Sequence, residues 1–134
     1  MSSDANSVIP PAMRNLLKIR DYREQHREKC ISITLDVDPD VIDVRGNIHG
    51  SFIVLATIVA AENAAKMSIH EDEFLVAVNH SVNFLKQPET LSEIEISSCV
   101  SNRTDRLIYV TTTMSSLDTD IANSITIFIA EKFS

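Results

Sequence analysis

Residues 45–51 read Arg45-Gly46-Asn47-Ile48-His49-Gly50-Ser51 and hold both glycines of a 134-residue chain. Average usage would give about nine. Glycine is favoured where a backbone needs positive φ or where something must approach it closely. Downstream lies Phe52–Ala61, FIVLATIVAA, the longest apolar run in the sequence. About ten residues is half of what a membrane span needs, and Glu62 and Asn63 follow at once, so the run reads as a helix buried inside a protein. Ser51 is the expected N-cap of a helix over Gly50–Met67.

Beyond the helix the pattern changes to β-branched, alternating segments: 74–85, 91–100, 106–116 and 121–133, separated by QPET, SNRTD and LDTD. Before the turn, CISITLDV at 30–37 alternates Ile31, Ile33, Leu35 and Val37 against polar residues, the period of a half-buried strand. Pro10 and Pro11 suit the first turn of a helix expected over 10–28, with residues 1–9 disordered ahead of it. One strand, an enclosed helix and four antiparallel strands predict a single α+β domain, a curved sheet wrapped around a helix.

Composition narrows the function classes. A net charge of −7 argues against nucleic acid as the main partner, because phosphate backbones reward basic surfaces. The N-terminus has neither the basic start nor the apolar stretch of a signal peptide. Cys30 and Cys99 lack CxxC spacing and read as free thiols in a reducing cytoplasm. Four scattered histidines without i,i+4 pairing make a metal site unexpected; His26 and His70 lie in polar stretches and read as solvated. Met67 and Met114 read as core filler.

The element order and three motifs together resemble the hotdog-fold acyl-CoA thioesterases, in particular the phenylacetate-pathway type of the 4-hydroxybenzoyl-CoA thioesterase superfamily. N-I-H-G-S at 47–51 resembles the family's Asn-x-His-Gly-Gly at the start of the central helix. V-N-H-S-V-N-F-L-K-Q-P at 78–88 resembles the strand that ends in Phe-Leu-Arg/Lys-Pro, and Arg106 stands near the third hairpin. The resemblance spans residues 10–133. It implies a thioester hydrolysed by water, with an acyl-CoA or acyl-carrier thioester as substrate or ligand, no further cofactor, and a homodimer or homotetramer.

Carried over residue by residue, the resemblance makes Gly50 and the following N–H the oxyanion-hole candidates, with Asn47 and His49 orienting the thioester or a water. The family's catalytic carboxylate, nine residues after the motif histidine, falls on Ile58, and no Asp or Glu occurs between Ser51 and Ala61. A Ser or Thr used by some members falls near Ala77. Glu62, one helical turn after Ile58, is the nearest substitute base; the plainer reading has it emerging into water at the helix end. Asn79, His80, Ser81 and Asn83 form a polar patch on an otherwise apolar strand. His80 or Asn79 could serve a partner's site, although alternation alone sets His80 outward as a surface residue. Lys86, Arg103 and Arg106 are the candidate cations for the coenzyme A phosphates. A catalytically silent hotdog domain that binds acyl thioesters is the alternative, favoured by Ile58. A hotdog dehydratase, needing a histidine and an acidic partner, is the third.

Overall fold

Lys18 ends the first helix. In the computed structural model, which describes residues 9–88 and 92–134, α1 spans only Pro11–Leu17. Lys18 takes φ 54°, ψ 53° and returns its N–H to Arg14 O, a left-handed stop. The helix expected over 10–28 is thus corrected: Ile19–Gln25 is strand β1, paired antiparallel with β2 (Cys30–Leu35). Between Arg20 and Lys29 the one large apolar side chain is Tyr22, too little for a helical stripe. As a strand this segment buries Tyr22 opposite Ile33, so pairing overrides helical propensity. Of residues 1–9, expected to be disordered, 1–8 lie outside those described, and Ile9 corrects the expectation: its side chain is buried in the core.

A 3₁₀ turn (Pro39–Val41) and the glycine loop lead into α2 (Gly50–Ala65), which a second 3₁₀ turn (Lys66–Ser68) closes. Strands β3 (Glu73–Phe84), β4 (Ile94–Thr104), β5 (Leu107–Ser116) and β6 (Thr119–Lys132) follow. The six strands form one antiparallel sheet, order β1-β2-β4-β5-β6-β3, so β1 and β3 are its edges. The sheet lays Ile31, Ile33, Ile96, Ile108, Val110, Met114 and Phe128 against α2. Ala56, Ala60, Ala61 and Ala64 of α2 are all at most 1% exposed; such small side chains let a helix approach a sheet closely.

Two turn expectations shift. SNRTD does not form the β4–β5 turn. A bulge at Ser101 lets β4 pair through Thr104, leaving Asp105, at φ 37°, to turn the chain. In LDTD the turn is Leu117-Asp118, because Thr119 already pairs with Ser116. The start of the 91–100 strand and the last two residues of QPET fall outside the described residues.

The cysteines require a larger correction. Cys30 of β2 stands opposite Cys99 of β4, Cα atoms 4.0 Å apart, and the two form a disulfide. Sixty-nine positions separate them in sequence, so no short spacing announces the pair. With it, the argument from free thiols to a reducing compartment loses its footing.

Candidate functional site

Asp43 organises the glycine loop. Its Oδ1 accepts the N–H groups of Arg45 and Asn47, and its own N–H donates to Asn47 O at 2.7 Å. The Arg45 guanidinium on Oδ2, together with those N–H groups, holds the Asp43 carboxyl below its usual range. Gly46 takes φ +83°, a conformation costly for any L side chain, so the first glycine answers a backbone demand. Ile42 bridges Ile48, His49 N–H donates to Val41 O, and Ile48 N–H donates to Gln87 Oε1 beyond the end of β3. Every strut aims at the start of α2.

His49, not Ser51, caps that helix. Its Nδ1 accepts the Ser51 N–H at 3.1 Å and lies 2.7 Å from Ser51 Oγ. Of the two oxyanion-hole candidates, the Ser51 N–H is therefore already occupied, whereas the Gly50 N–H has no partner among the described residues. Gly50 has no positive φ, and a Cβ built there would meet nothing nearer than Phe84 at 3.6 Å. Neither backbone strain nor its own neighbours demand this glycine. Beside it opens a cleft of about 270 Å³, lined by Leu16, Val41, Phe52 and Leu55 with His49, Ser51 and Asp40. Asp40 was missed in the sequence because DPD reads only as a strand stop.

His80 is placed differently from the alternation-based expectation. A bulge at Val78 breaks the pairing of β3 with β6: Ala77 opposes Phe128 and Asn79 opposes Ile127. The extra residue inverts the alternation, so Glu73 and Leu75 face inward before it and His80 and Val82 after it. His80 is half-buried. Its Nε2 lies 3.0 Å from Thr57 Oγ1 and its Nδ1 2.7 Å from Thr126 Oγ1. Thr57 Oγ1 donates to Ile53 O at 2.8 Å, so it accepts from Nε2–H, and Nδ1 accepts the Thr126 hydroxyl. Burial lowers the His80 pKa below the ordinary value, against the opposing pull of the Val54 carbonyl. Asn79 points outward, its Oδ1 accepting from Ser81 Oγ.

The other candidates are not all gathered here. Ile58 and Glu62 follow Val54 along one half-exposed face of α2. Glu62 is twelve residues past Gly50, about 18 Å along the helix axis at 1.5 Å per residue. Within one chain it cannot act on a carbonyl held at Gly50. Lys86 is exposed two residues beyond Phe84, at the glycine-loop end of β3. Arg103 and Arg106 belong to the other end: Arg103 binds Glu73 Oε2 at 3.0 Å and Ser68 O, and Arg106 pairs with Glu131. Roughly 35 Å of strand lies between Glu73 and Phe84. Glu73, 8% exposed, is held well below the carboxylate range, to about 2, chiefly by the Arg103 guanidinium. These ions, with His70, Asp105 and Lys132, line a polar cleft of about 560 Å³, remote from the glycine loop of the same chain.

No family model matches the chain, and no curated protein matches it in sequence. Solved structures do match it in shape. A thioesterase family protein from Silicibacter pomeroyi superposes with TM-score 0.80 at 18% identity, covering 97% of this chain and 95% of that one. A phenylacetic acid degradation-related protein from Ralstonia eutropha gives 0.81 at 11%, covering 96% of each. A Bacillus halodurans protein solved with CoA gives 0.80 at 11%, covering 98% of this chain and 86% of that one. Identities this low speak to architecture alone. One sheet wrapped on one central helix, in the strand order described, is the hotdog fold, and the chain shares it with thioesterase family proteins.

Proposed function

We propose that this protein is a thioesterase whose net reaction is the attack of water on an acyl-CoA or acyl-carrier thioester. The observation that carries the reading is the Gly50 N–H. It is a donor without a partner among the described residues, at the positive end of a sixteen-residue helix and beside an apolar cleft. A carbonyl oxygen seated there gains most as it becomes an oxyanion, which is differential stabilisation of the transition state. Asn47 and His49 flank the donor and orient the thioester, and Lys86 is the cation at this end for a coenzyme A phosphate.

The working form in this proposal is a homodimer, built by pairing β3 with β3 of a second copy. A twelve-residue edge strand that shows Val76 at 40%, Val78 at 49% and Phe84 at 56% exposure is a poor surface to leave in water. Val54 of α2 is a further exposed apolar side chain, at 39%. Antiparallel pairing about a two-fold also turns the Arg103–Arg106 end of one subunit toward the glycine-loop end of the other.

Ile58 supports a second reading, a binder that holds acyl thioesters without cleaving them, since nothing on α2 before Glu62 can act as a carboxylate base. Free-thiol release from a panel of short- and medium-chain acyl-CoAs separates the two. Release above the buffer rate that saturates with substrate is expected. Saturable binding without release would establish the binder, and neither signal would reject both.

A further inference from the structure

The cap of α2 contains one hydrogen bond more than a cap requires. His49 Nδ1 already receives the Ser51 N–H at 3.1 Å, which satisfies the helix end. That nitrogen is therefore an acceptor, and the ring carries its proton on Nε2. The Ser51 hydroxyl, 2.7 Å from the same Nδ1, then donates to it as well, the two donors sharing the single lone pair of that nitrogen with the hydroxyl the nearer. A serine hydroxyl hydrogen-bonded to the lone pair of a neutral imidazole is what an activated nucleophile looks like before it reacts.

The surroundings fit the same chemistry. Ser51 is exposed and lines the 270 Å³ cleft, whose apolar walls suit an acyl chain. The Gly50 N–H, without a partner among the described residues, is the adjacent backbone donor. Asp40 is the one carboxylate among the cleft-lining residues.

We infer that Ser51 is the nucleophile of this site and His49 its general base, an inference that rests on the thioesterase reading. Ser51 Oγ bonds to the thioester carbonyl carbon while its proton passes to His49 Nδ1, and the Gly50 N–H receives the oxyanion. The C–S bond breaks as His49 returns the proton to the departing thiolate, leaving an acyl ester on Ser51. Water then adds to that ester with its proton taken by His49. The ester C–O bond breaks, Ser51 Oγ recovers the proton, and the acid leaves. Thioester and water become acid and thiol, with no oxidant or reductant. The mechanism requires no carboxylate at the Ile58 position.

Ser51→Ala removes the hydroxyl and keeps the backbone N–H that His49 caps, so its thermal midpoint should stay within a few degrees of the parent. Thiol release from the full chain should fall at least about a hundredfold. An alkyl fluorophosphonate should inactivate the parent and add one phosphonyl mass to the peptide containing Ser51, with no addition to Ser51→Ala. If the parent releases thiol and Ser51→Ala keeps pace, Ser51 is not the nucleophile and the thioesterase reading stands. If an active parent takes no phosphonyl mass at Ser51, the inference fails even where the variant does not fold. A parent that neither releases thiol nor reacts with the probe removes both this inference and the reading beneath it.

Discussion

At the scale of single residues, the two glycines separate conformation from chemistry. Gly46 sits at φ +83° with nothing within 4 Å of an added Cβ, so its constraint is purely torsional. Gly50 has no positive φ and has room for a Cβ in van der Waals contact with Phe84. Gly46→Ala is expected to cost about 1–2 kcal/mol of stability through left-handed strain while leaving turnover per folded molecule near the parent value. Gly50→Val should do the reverse, keeping the fold while crowding a carbonyl at the Gly50 N–H and lowering kcat/KM by at least about a hundredfold. Chemical denaturation beside thiol-release kinetics checks both. The loop's importance was legible in the sequence, since the glycines occur nowhere else. The division of labour between them was not, because only the dihedral angles and the hydrogen bonds of His49 distinguish a turn glycine from a glycine at a helix start.

At the scale of elements, one inserted residue in β3 decides where His80 goes. Alternation counted along 74–85 sets that imidazole in solvent, and a bulge has no reliable mark in a single sequence. The strand itself was readable, its parity beyond Val78 was not. Thr57 had a signal, a hydroxyl in an otherwise apolar stretch of helix, but its partner lies on β3, twenty-three positions away. The linkage has a definite sign. Folding lowers the His80 pKa, so the unfolded chain takes up the proton first as pH falls. Stability contributed by neutral His80 is present above the ordinary histidine value of about 6.5 and is lost progressively below it, down to the folded pKa. Thermal midpoints from pH 8 to 5 should decline in the parent. In His80→Gln the decline should be shallower.

At the scale of the whole molecule, an acidic chain of ordinary composition hides the two features that long-range pairing creates. One is the Cys30–Cys99 link, which joins β2 to β4 across strands far apart in sequence. The other is the apolar edge of β3, which only sheet order reveals as an edge: the same run of Phe, Val and Ala would be unremarkable in a central strand. If that edge pairs with its symmetry mate, Val78→Lys should turn a dimer into a monomer, as light scattering at micromolar concentration would register. Thiol release per chain should fall with it. A parent that scatters as a monomer would remove the pairing and the shared-site geometry together.

The Gln87 side chain gives that assembly a further meaning. Its Oε1 holds the Ile48 amide one residue ahead of His49, while the backbone of Leu85 is tied to Ile121 at the foot of β3. The glycine loop thus hangs from the end of the edge strand. Fixing that strand against a neighbour would also fix the loop, so the entropy of ordering the site would be surrendered when subunits meet. A substrate arriving later would find the loop already rigid and would spend little of its binding energy on it.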